Sequence, residues 1–302
     1  SAGNITEFIY YVNLLTWPIA SIGWVTSLVQ SAAASMERLN EFLSEEPDFK
    51  SGDYRPSSFQ GTVTFKNVSF TYPNSGIKAL YNVSFTLQAG HSLGILGKTG
   101  SGKSTITALM VRQYDPTDGQ ILIDGVDVKD WHLPTLKKYL GWVPQEAFLF
   151  SDTIARNIAF GLDEFNQKQV EQAAMAAGVH DNIIDFPKQY ETTVGERGVT
   201  LSGGQKQRVS IARALAKSPK LMVFDDCLSA VDTETEELIL GNIKEATASI
   251  SSMIVAHRVS SVKHCEQIIC LENGQIIEKG THEELEIAGG HYSELISLQL
   301  DQ

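Results

Sequence analysis

A glycine-rich loop reads Gly97-Lys98-Thr99-Gly100-Ser101-Gly102-Lys103-Ser104-Thr105, and it lies between an apolar strand at residues 93–96 and a helical run at residues 106–111. This order of strand, loop and helix is the context that a phosphate-binding loop requires. Backbone N–H groups of the loop would cradle phosphates, Lys103 would reach the β and γ phosphates, and Ser104 would offer its hydroxyl to Mg²⁺. The loop therefore predicts a nucleoside triphosphate site that holds Mg²⁺.

A second apolar run, at residues 221–224, is followed by two acids, Asp225 and Asp226. Continuous apolar runs suit a parallel sheet that is covered on both faces, with the ligand at the carboxyl ends of its strands. On its own this run is also typical of a core strand followed by an acidic turn. The phosphate loop upstream favours the other interpretation, in which the acids belong to a Mg²⁺ site.

Ser202, Gly203 and Gly204 precede a strongly helical stretch at residues 205–215. Serine suits the N-cap position, and the glycines let a ligand approach the backbone closely. Free N–H groups and the positive end of the helix dipole would then face an anion. An ordinary helix cap has the same local pattern, but the phosphate loop in the same chain favours a phosphate contact.

Together these residues resemble the nucleotide-binding domain of the ATP-binding cassette (ABC) family, from about residue 61 to nearly the end of the chain. The resemblance implies that Tyr72 stacks on adenine, that Gln145 lies in the Q-loop, and that His257 is the switch histidine that contacts the γ-phosphate. It also implies that ATP is the nucleotide. The implied nucleotide-binding set is Tyr72, Gly97, Thr99, Gly100, Ser101, Gly102, Lys103, Ser104, Thr105, Ser202, Gly203 and Gly204.

Two further segments fit this family. Residues 229–232, Ser-Ala-Val-Asp, match its D-loop, and residues 194–198, Val-Gly-Glu-Arg-Gly, resemble the X-loop of its exporter branch. In an unrelated protein the second segment would be a charged surface turn closed by glycine. Here it precedes the Ser202 motif, as it does in exporters, and so it indicates that branch.

The first part of the chain supports the exporter branch, because residues 8–36 contain no Asp, Glu, Lys or Arg. About twenty mostly apolar residues are enough to span a membrane. Polar residues and Pro18 within a span are tolerated where they face other helices or a wet cavity. The segment resembles the last transmembrane helix of an exporter half-transporter, which implies that five helices precede it in the whole protein. The alternative is a buried amphipathic helix of a soluble protein; a signal peptide would need a basic region before the apolar run.

The predicted fold is α/β: a P-loop NTPase of the ABC ATPase type, with a RecA-like core, an antiparallel β subdomain and a helical subdomain, preceded by a transmembrane-type helix. We assign residues 1–44 to the membrane domain, 45–60 to a linker and 61–302 to the nucleotide-binding domain. Residues 147–214 form its predicted helical subdomain. Residues 267–277 are expected to form a hairpin, and Thr281 with Glu284 a capping box.

The chain departs from the family at Asp226, where the family pattern has Glu. That residue normally orients and activates the attacking water, and the side chain of Asp is shorter by one methylene. A displacement of about 1 Å can cost on the order of a hundredfold in rate. The resemblance assigns catalytic roles to Asp226, His257, Gln145 and Lys103, and metal contacts to Ser104, Gln145 and Asp225.

These assignments predict the ATP-binding subunit of an ABC exporter whose own site is slow and whose Ser202 motif completes a site on a second half-transporter. A heterodimer is preferred, and a homodimer with two slow sites is the alternative. We expect a cell (inner) membrane protein with its nucleotide-binding domain in the cytoplasm, in contact with membrane-domain helices.

The composition of the chain limits the functions and partners that remain possible. The net charge of −12 argues against nucleic acid as a partner, because backbone binding needs clustered Lys and Arg. The three cysteines show neither metal-ligand spacing nor a disulfide framework, which suits a reducing cytosolic face. A soluble ABC ATPase of DNA repair or translation is the main rival function, and an importer ATPase is a closer one. The apolar first segment speaks against both.

Overall fold

The computed structural model describes residues 2–45, 50–195, 201–227, 241 and 250–300, and it divides the chain into two units, Ser1–Lys50 and Ser51–Gln302. The proposed boundaries after residues 44 and 60 remain a prediction. The predicted D-loop at 229–232 and the X-loop residues 196–198 lie outside the described residues.

The first unit contains one long helix, α1 (Ala2–Ser44), with Pro18 inside it. It is long and apolar enough to cross a membrane, and none of its residues is buried within the unit. Its apolar side chains are spread around the helix rather than gathered on one face. Its hydroxyls bond to carbonyls of the preceding turn, as Thr16 does to Val12 at 2.9 Å and Thr26 to Ile22 at 2.7 Å. These polar groups are therefore satisfied without water.

The second unit begins with an antiparallel sheet, as the alternation of apolar residues predicts. Its strand order is β2-β1-β4-β5, and Phe65 of the central strand faces Phe85 on one side and Ile121 on the other. The strands are β1 (Val63–Thr71), β2 (Lys78–Leu87), β4 (Asp118–Ile123) and β5 (Val126–Asp127).

A six-stranded sheet of order β10-β9-β3-β8-β7-β6 forms the centre of this unit. All neighbouring pairs are parallel except the predicted hairpin of β9 and β10, which is antiparallel. Its strands are β3 (Ser92–Leu96), β6 (Leu140–Val143), β7 (Leu221–Asp225), β8 (Ser251–Ala256), β9 (Gln267–Glu272) and β10 (Gln275–Gly280).

Helices connect and cover these strands. The segment predicted as the helical subdomain is mainly helical in the structure, and Thr281 and Glu284 form the expected capping box. The helices are α2 (Lys103–Met110), α3 (Leu133–Tyr139), α4 (Ile154–Ala159), α5 (Gln167–Ala176), α6 (His180–Ile184), a 3₁₀ turn (Gln189–Glu191), α7 (Gly203–Ala216), α8 (His282–Ala288) and α9 (His291–Leu300).

The parallel sheet separates two hydrophobic cores. Along β7 the side chains alternate, so that Met222 and Phe224 pack with the helical segment, whereas Leu221 and Val223 pack with the antiparallel sheet. Burial on both faces explains why this strand is a continuous apolar run. Asp225 and Asp226, which follow the apolar run, are also buried and lie at the carboxyl edge of the sheet.

Candidate functional site

Four neighbouring parallel strands end at one edge of the central sheet, and predicted site residues follow each of them. Leu96 at the end of β3 pairs with Ala256 of β8, and Asp225 of β7 pairs with Val255 of β8. The same edge therefore receives the loop after β3, His257 after β8, Asp225 and Asp226 of the β7 end, and Gln145 after β6.

The glycine-rich loop turns from β3 into α2, whose N-terminus has no side-chain cap. The N-cap is Gly102 with φ of 104°, a conformation that disfavours other residues, and a Cβ there would lie 2.7 Å from the Ala79 carbonyl oxygen. The first N–H groups of a helix have no partner within the helix and attract anions. In α2 the Thr105 N–H bonds to the Gly102 carbonyl oxygen at 3.1 Å, and the N–H groups of Lys103 and Ser104, which have no partner among the described hydrogen bonds, are left for a ligand.

Lys103 begins α2 and is buried over the loop. Its Nζ donates to the carbonyl oxygens of Gly97 at 2.7 Å and of Lys98 at 2.9 Å, and lies 3.5 Å from His257 Nδ1. Burial lowers the pKa of Lys103, while the carboxylates of Asp226 and Asp225 act in the opposite direction. The Lys103 ammonium is therefore bonded to the same glycine-rich loop that is predicted to bind phosphate.

Asp225 is held by two hydroxyls of α2. Ser104 Oγ donates to Asp225 Oδ1 at 3.1 Å, and Thr107 Oγ1 donates to Asp225 Oδ2 at 2.7 Å. Thr107 and Asp225 are buried, whereas Ser104 is exposed. A hydroxyl and a carboxylate oxygen at this spacing are hard oxygen donors of the kind that Mg²⁺ prefers.

Asp226 follows directly, with φ of 45°, and its N–H donates to the Val255 carbonyl oxygen at 2.9 Å. Its Oδ2 accepts from Gln145 Nε2 at 3.3 Å and lies 3.5 Å from His257 Nε2. Burial raises the pKa of Asp226, and the nearby His257 and Lys103 oppose that shift. A carboxylate, an amide and an imidazole thus meet beside the Lys103 ammonium.

A cavity of about 480 Å³ opens next to these groups. Tyr72 borders it, and its hydroxyl bonds to Thr105 Oγ1 at 3.0 Å. The cavity is also lined by the loop after β3, by Gln145 and His257, and by the turn at Asn273 and Gly274 between β9 and β10. Of the described residues that line it, none comes from the Ser202 motif.

The Ser202 motif starts α7 at a separate, exposed position. Ser202 is the N-cap, as predicted: its Oγ accepts the Gln205 N–H at 3.2 Å, and Gln205 Oε1 accepts the Ser202 N–H at 3.0 Å. Gly203 is exposed, and a Cβ on it would meet nothing within 4 Å. The capping box thus satisfies the N–H groups of Ser202 and Gln205, and those of Gly203 and Gly204 have no partner among the described hydrogen bonds.

The structure brings the predicted phosphate-loop, metal and catalytic residues together and leaves Ser202, Gly203 and Gly204 out of their cavity. Sequence reasoning missed Thr107, although its position three residues after Ser104 places both on one face of α2. It also missed Asn273 and Gly274, which only the hairpin brings to the cavity. From the sequence, Asn273 and Gly274 are predicted only as the turn of the hairpin.

The family model described as ABC transporter matches residues 80–229. "Uncharacterized ABC transporter ATP-binding protein YknU" of Bacillus subtilis is 43% identical over 98% of this chain and 51% of its own length. "Probable multidrug resistance ABC transporter ATP-binding/permease protein YheI" of the same organism is 42% identical over 97% of this chain and 50% of its own length. The chain thus spans about half the length of the curated relatives it matches.

A solved structure, that of a bacterial Atm1-family ABC exporter with ATP bound, superposes with a TM-score of 0.88 at 36% identity. The alignment covers 96% of this chain and 51% of that one. The fold of that structure, the family match and the relatives all agree with an ATP-binding domain, which is also what the glycine-rich loop at the sheet edge predicts. The chain contains an ABC ATPase domain, and it is similar along almost all of its length to ABC transporters of the exporter type.

Proposed function

We propose that this chain binds ATP in the cavity beside α2 and hydrolyses it to drive export across a membrane. The observation that carries the proposal is the cluster of Lys103, Asp225, Asp226 and His257 at one sheet edge, next to an uncapped helix N-terminus. Lys103 and the N–H groups of α2 would bind the phosphates, and His257 would contact the γ-phosphate. Tyr72 at the cavity border would stack on adenine.

Mg²⁺ fits the same edge. Ser104 Oγ and Asp225 Oδ1 are 3.1 Å apart, and Gln145 lies nearby, where it hydrogen-bonds to Asp226. We propose that Ser104, Asp225 and Gln145 hold the ion. When bound, Mg²⁺ neutralises charge on the transferred phosphoryl group. Asp225 needs no rearrangement to serve, because Thr107 already fixes its second oxygen.

We propose Asp226 as the base that orients the attacking water, and a slow one. A carboxylate in the place of the family's Glu ends one methylene short, and misplacement by about 1 Å costs on the order of a hundredfold. Its Oδ2 lies 3.3 Å from Gln145 Nε2 and 3.5 Å from His257 Nε2. Binding of ATP does not depend on this residue.

Substituting Asp226→Glu tests the slow site. We expect the single-turnover hydrolysis rate to rise at least tenfold, with ATP affinity unchanged and a small loss of thermal stability, since Asp tolerates the φ of 45° better than Glu. Asp226→Asn is the matched control, because it keeps the length of Asp and removes the charge, and it should abolish turnover. A rate for Asp226→Glu no higher than that of the parent would show that side-chain length does not limit this site.

The exposed start of α7 suggests the second half of the mechanism. We propose that Ser202, Gly203 and Gly204 close over the ATP held by a partner, so that two nucleotides lie between two cassettes. Closure would shift the membrane helices toward the outward-facing form, and hydrolysis with product release would reset them. A heterodimer with a partner that carries Glu is preferred, because the Ser202 motif here is intact.

Mixing separates the two assemblies. ATP binding and single-turnover hydrolysis are measured for the chain alone and with candidate half-transporters. Tight binding, slow turnover alone and fast turnover after mixing would support the heterodimer. Brisk turnover by this chain alone would favour the homodimer and make Asp226 an adequate base.

The membrane assignment rests on α1. At about 1.5 Å per residue its 43 residues measure about 65 Å, roughly twice the thickness of a bilayer core. We propose that the charge-free residues 8–36 cross the membrane and that the later, charged turns lead into the cytoplasmic ATPase domain. Fractionation of the full-length protein should recover it with membranes after an alkaline wash; recovery in the soluble fraction would refute this assignment.

A further inference from the structure

The carboxamide of Gln299, on the last helix, bonds to the backbone on both sides of Arg258. Its Nε2 donates to the His257 carbonyl oxygen at 2.9 Å, and its Oε1 accepts the Val259 N–H at 2.8 Å. One planar side chain thus satisfies a donor and an acceptor that lie two residues apart. Neither the cavity lining nor the loop after β3 includes this residue.

Besides Gln299, the His257 N–H holds this segment by donating to the Asp226 carboxylate. β8 ends at Ala256, which still pairs with Leu96 of β3, and a new turn begins at Val259, whose carbonyl oxygen accepts the N–H groups of Val262 and Lys263. His257 lies between strand and turn, with its ring between Lys103 Nζ and the Asp226 carboxylate. The placement of that ring depends on the backbone that carries it.

The helix itself is anchored well before Gln299. The Glu278 carboxylate accepts the N–H groups of His291 and Tyr292 at 2.6 and 2.9 Å, and the buried Tyr292 hydroxyl bonds to His282 Nδ1 at 2.8 Å. Leu295 then packs on the core. Tyr292, Leu295 and Gln299 follow helical spacing and lie on one face of α9. That face runs from the core to the His257 segment.

We propose that Gln299 is a positioning residue for ATP hydrolysis: it fixes the backbone at residues 257–259 and thereby holds the His257 imidazole beside Lys103 and Asp226. The inference rests on the proposed role of His257 at the γ-phosphate. It gives the C-terminal helix a function in the reaction besides packing. ATP binding should not depend on it, because the phosphate loop makes no contact with Gln299 among the described hydrogen bonds.

The test compares Gln299→Met with Gln299→Glu and Leu298→Ala in the assembled full-length transporter. Methionine has a similar length and cannot make either hydrogen bond. Glutamate keeps the acceptor for the Val259 N–H but turns an oxygen toward the His257 carbonyl. Leu298 is 60% exposed and serves as the control on the same helix turn. For each variant we would measure the kcat for ATP, the ATP Kd, the melting temperature and amide hydrogen exchange at residues 257–259.

We expect Gln299→Met to lower kcat about tenfold, to leave the ATP Kd unchanged and to speed exchange at residues 257–259, since small misplacement of a catalytic group has large effects. The kcat of Gln299→Glu should also be lowered, and the kcat of Leu298→Ala should match that of the parent. Unchanged kcat in Gln299→Met with a lowered melting temperature would mean a structural role only and would overturn the inference.

His257→Ala separates this inference from the proposed function. If His257→Ala leaves kcat unchanged, the proposed role of His257 fails whatever Gln299 does. If His257→Ala lowers kcat and Gln299→Met does not, only the inference fails. In the double variant, Gln299→Met should add nothing to the loss caused by His257→Ala, because both act through one imidazole.

Discussion

Two helices of this domain have glycine at or next to their first residue, beside a predicted phosphate contact, and their N-termini are capped differently. α2 starts after Gly102 with no side-chain cap, inside a cavity, with the buried Lys103 as its first residue. α7 starts after Ser202 with a complete capping box, and Gly203 is exposed. At α2 the third N–H, that of Thr105, bonds to the Gly102 carbonyl oxygen at 3.1 Å, whereas at α7 the third N–H, that of Gln205, bonds to the Ser202 side chain at 3.2 Å. Among the described hydrogen bonds the first two N–H groups of each helix have no partner, and only those of α2 lie beside the cavity.

This difference indicates a division of labour. Uncapped N–H groups at the α2 start favour phosphate binding within one chain. The N–H groups of Gly203 and Gly204 at the α7 start lie away from that cavity, because none of its described lining residues comes from the Ser202 motif. We infer that it acts only when a second cassette presents nucleotide to it. ATP affinity should thus depend on the α2 start, and turnover on both.

The largest effect should follow from Lys103→Ala. Hydrogen bonds to charged groups contribute about 1.5–3 kcal/mol, and about 1.4 kcal/mol is tenfold in affinity, so ATP binding should weaken by about 10-fold to 100-fold. Lys98→Ala is the matched control, because that exposed residue supports the loop with its carbonyl oxygen only. Isothermal titration with a non-hydrolysable ATP analogue would measure both, and equal affinities for Lys103→Ala and the parent would contradict the assignment of this cavity.

Gly203→Gln tests the other helix start. A Cβ here would meet no atom within 4 Å and Gly203 is exposed, so the fold and the ATP Kd of the single chain should match those of the parent. In the assembled transporter the added side chain would obstruct the partner's nucleotide, and ATPase should fall about tenfold or more. Gly203→Ala, a much smaller addition, is the control and should fall less. Weaker ATP binding by the isolated Gly203→Gln chain would remove the distinction between the two helix starts.

The two helix starts also differ in how far the sequence predicts them. The structure confirms the predicted order of strand, loop and helix around the glycine-rich loop, and also the Ser202 cap and the Thr281 capping box, which follow from local residue types. Phosphate binding by the loop stays a prediction. Local pattern also predicts both sheets. The hydrogen bonds of Gln299 could not be predicted, because they join residues 42 and 40 positions apart through tertiary packing. The catalytic roles remain predictions, since geometry alone does not measure them.

The fifth residue of each helix also differs in what it holds, because its side chain bonds to a different kind of group in a predicted site residue. Thr107 of α2 donates to Asp225 Oδ2 at 2.7 Å, and Gln207 of α7 donates to the Gln145 carbonyl oxygen at 2.7 Å. α2 thus holds a side chain that we propose as a metal ligand, whereas α7 holds the backbone at Gln145. Residues that orient metal ligands typically contribute 10-fold to 100-fold in metal affinity.

Thr107→Val should raise the Mg²⁺ concentration needed for half-maximal ATP hydrolysis about tenfold, at the lower end of that range because Ser104 still contacts Asp225 Oδ1. Valine keeps the branched shape and removes only the hydroxyl, so Asp225 Oδ2 loses its buried partner. Thr107→Ser restores the hydroxyl and should return the midpoint toward that of the parent, which a loss of packing would not do. A Mg²⁺ titration of ATP-analogue binding, monitored without turnover, distinguishes a weaker metal site from slower chemistry. Unchanged midpoints in both assays would mean that α2 orients the phosphate contacts alone and that Asp225 is held by β7.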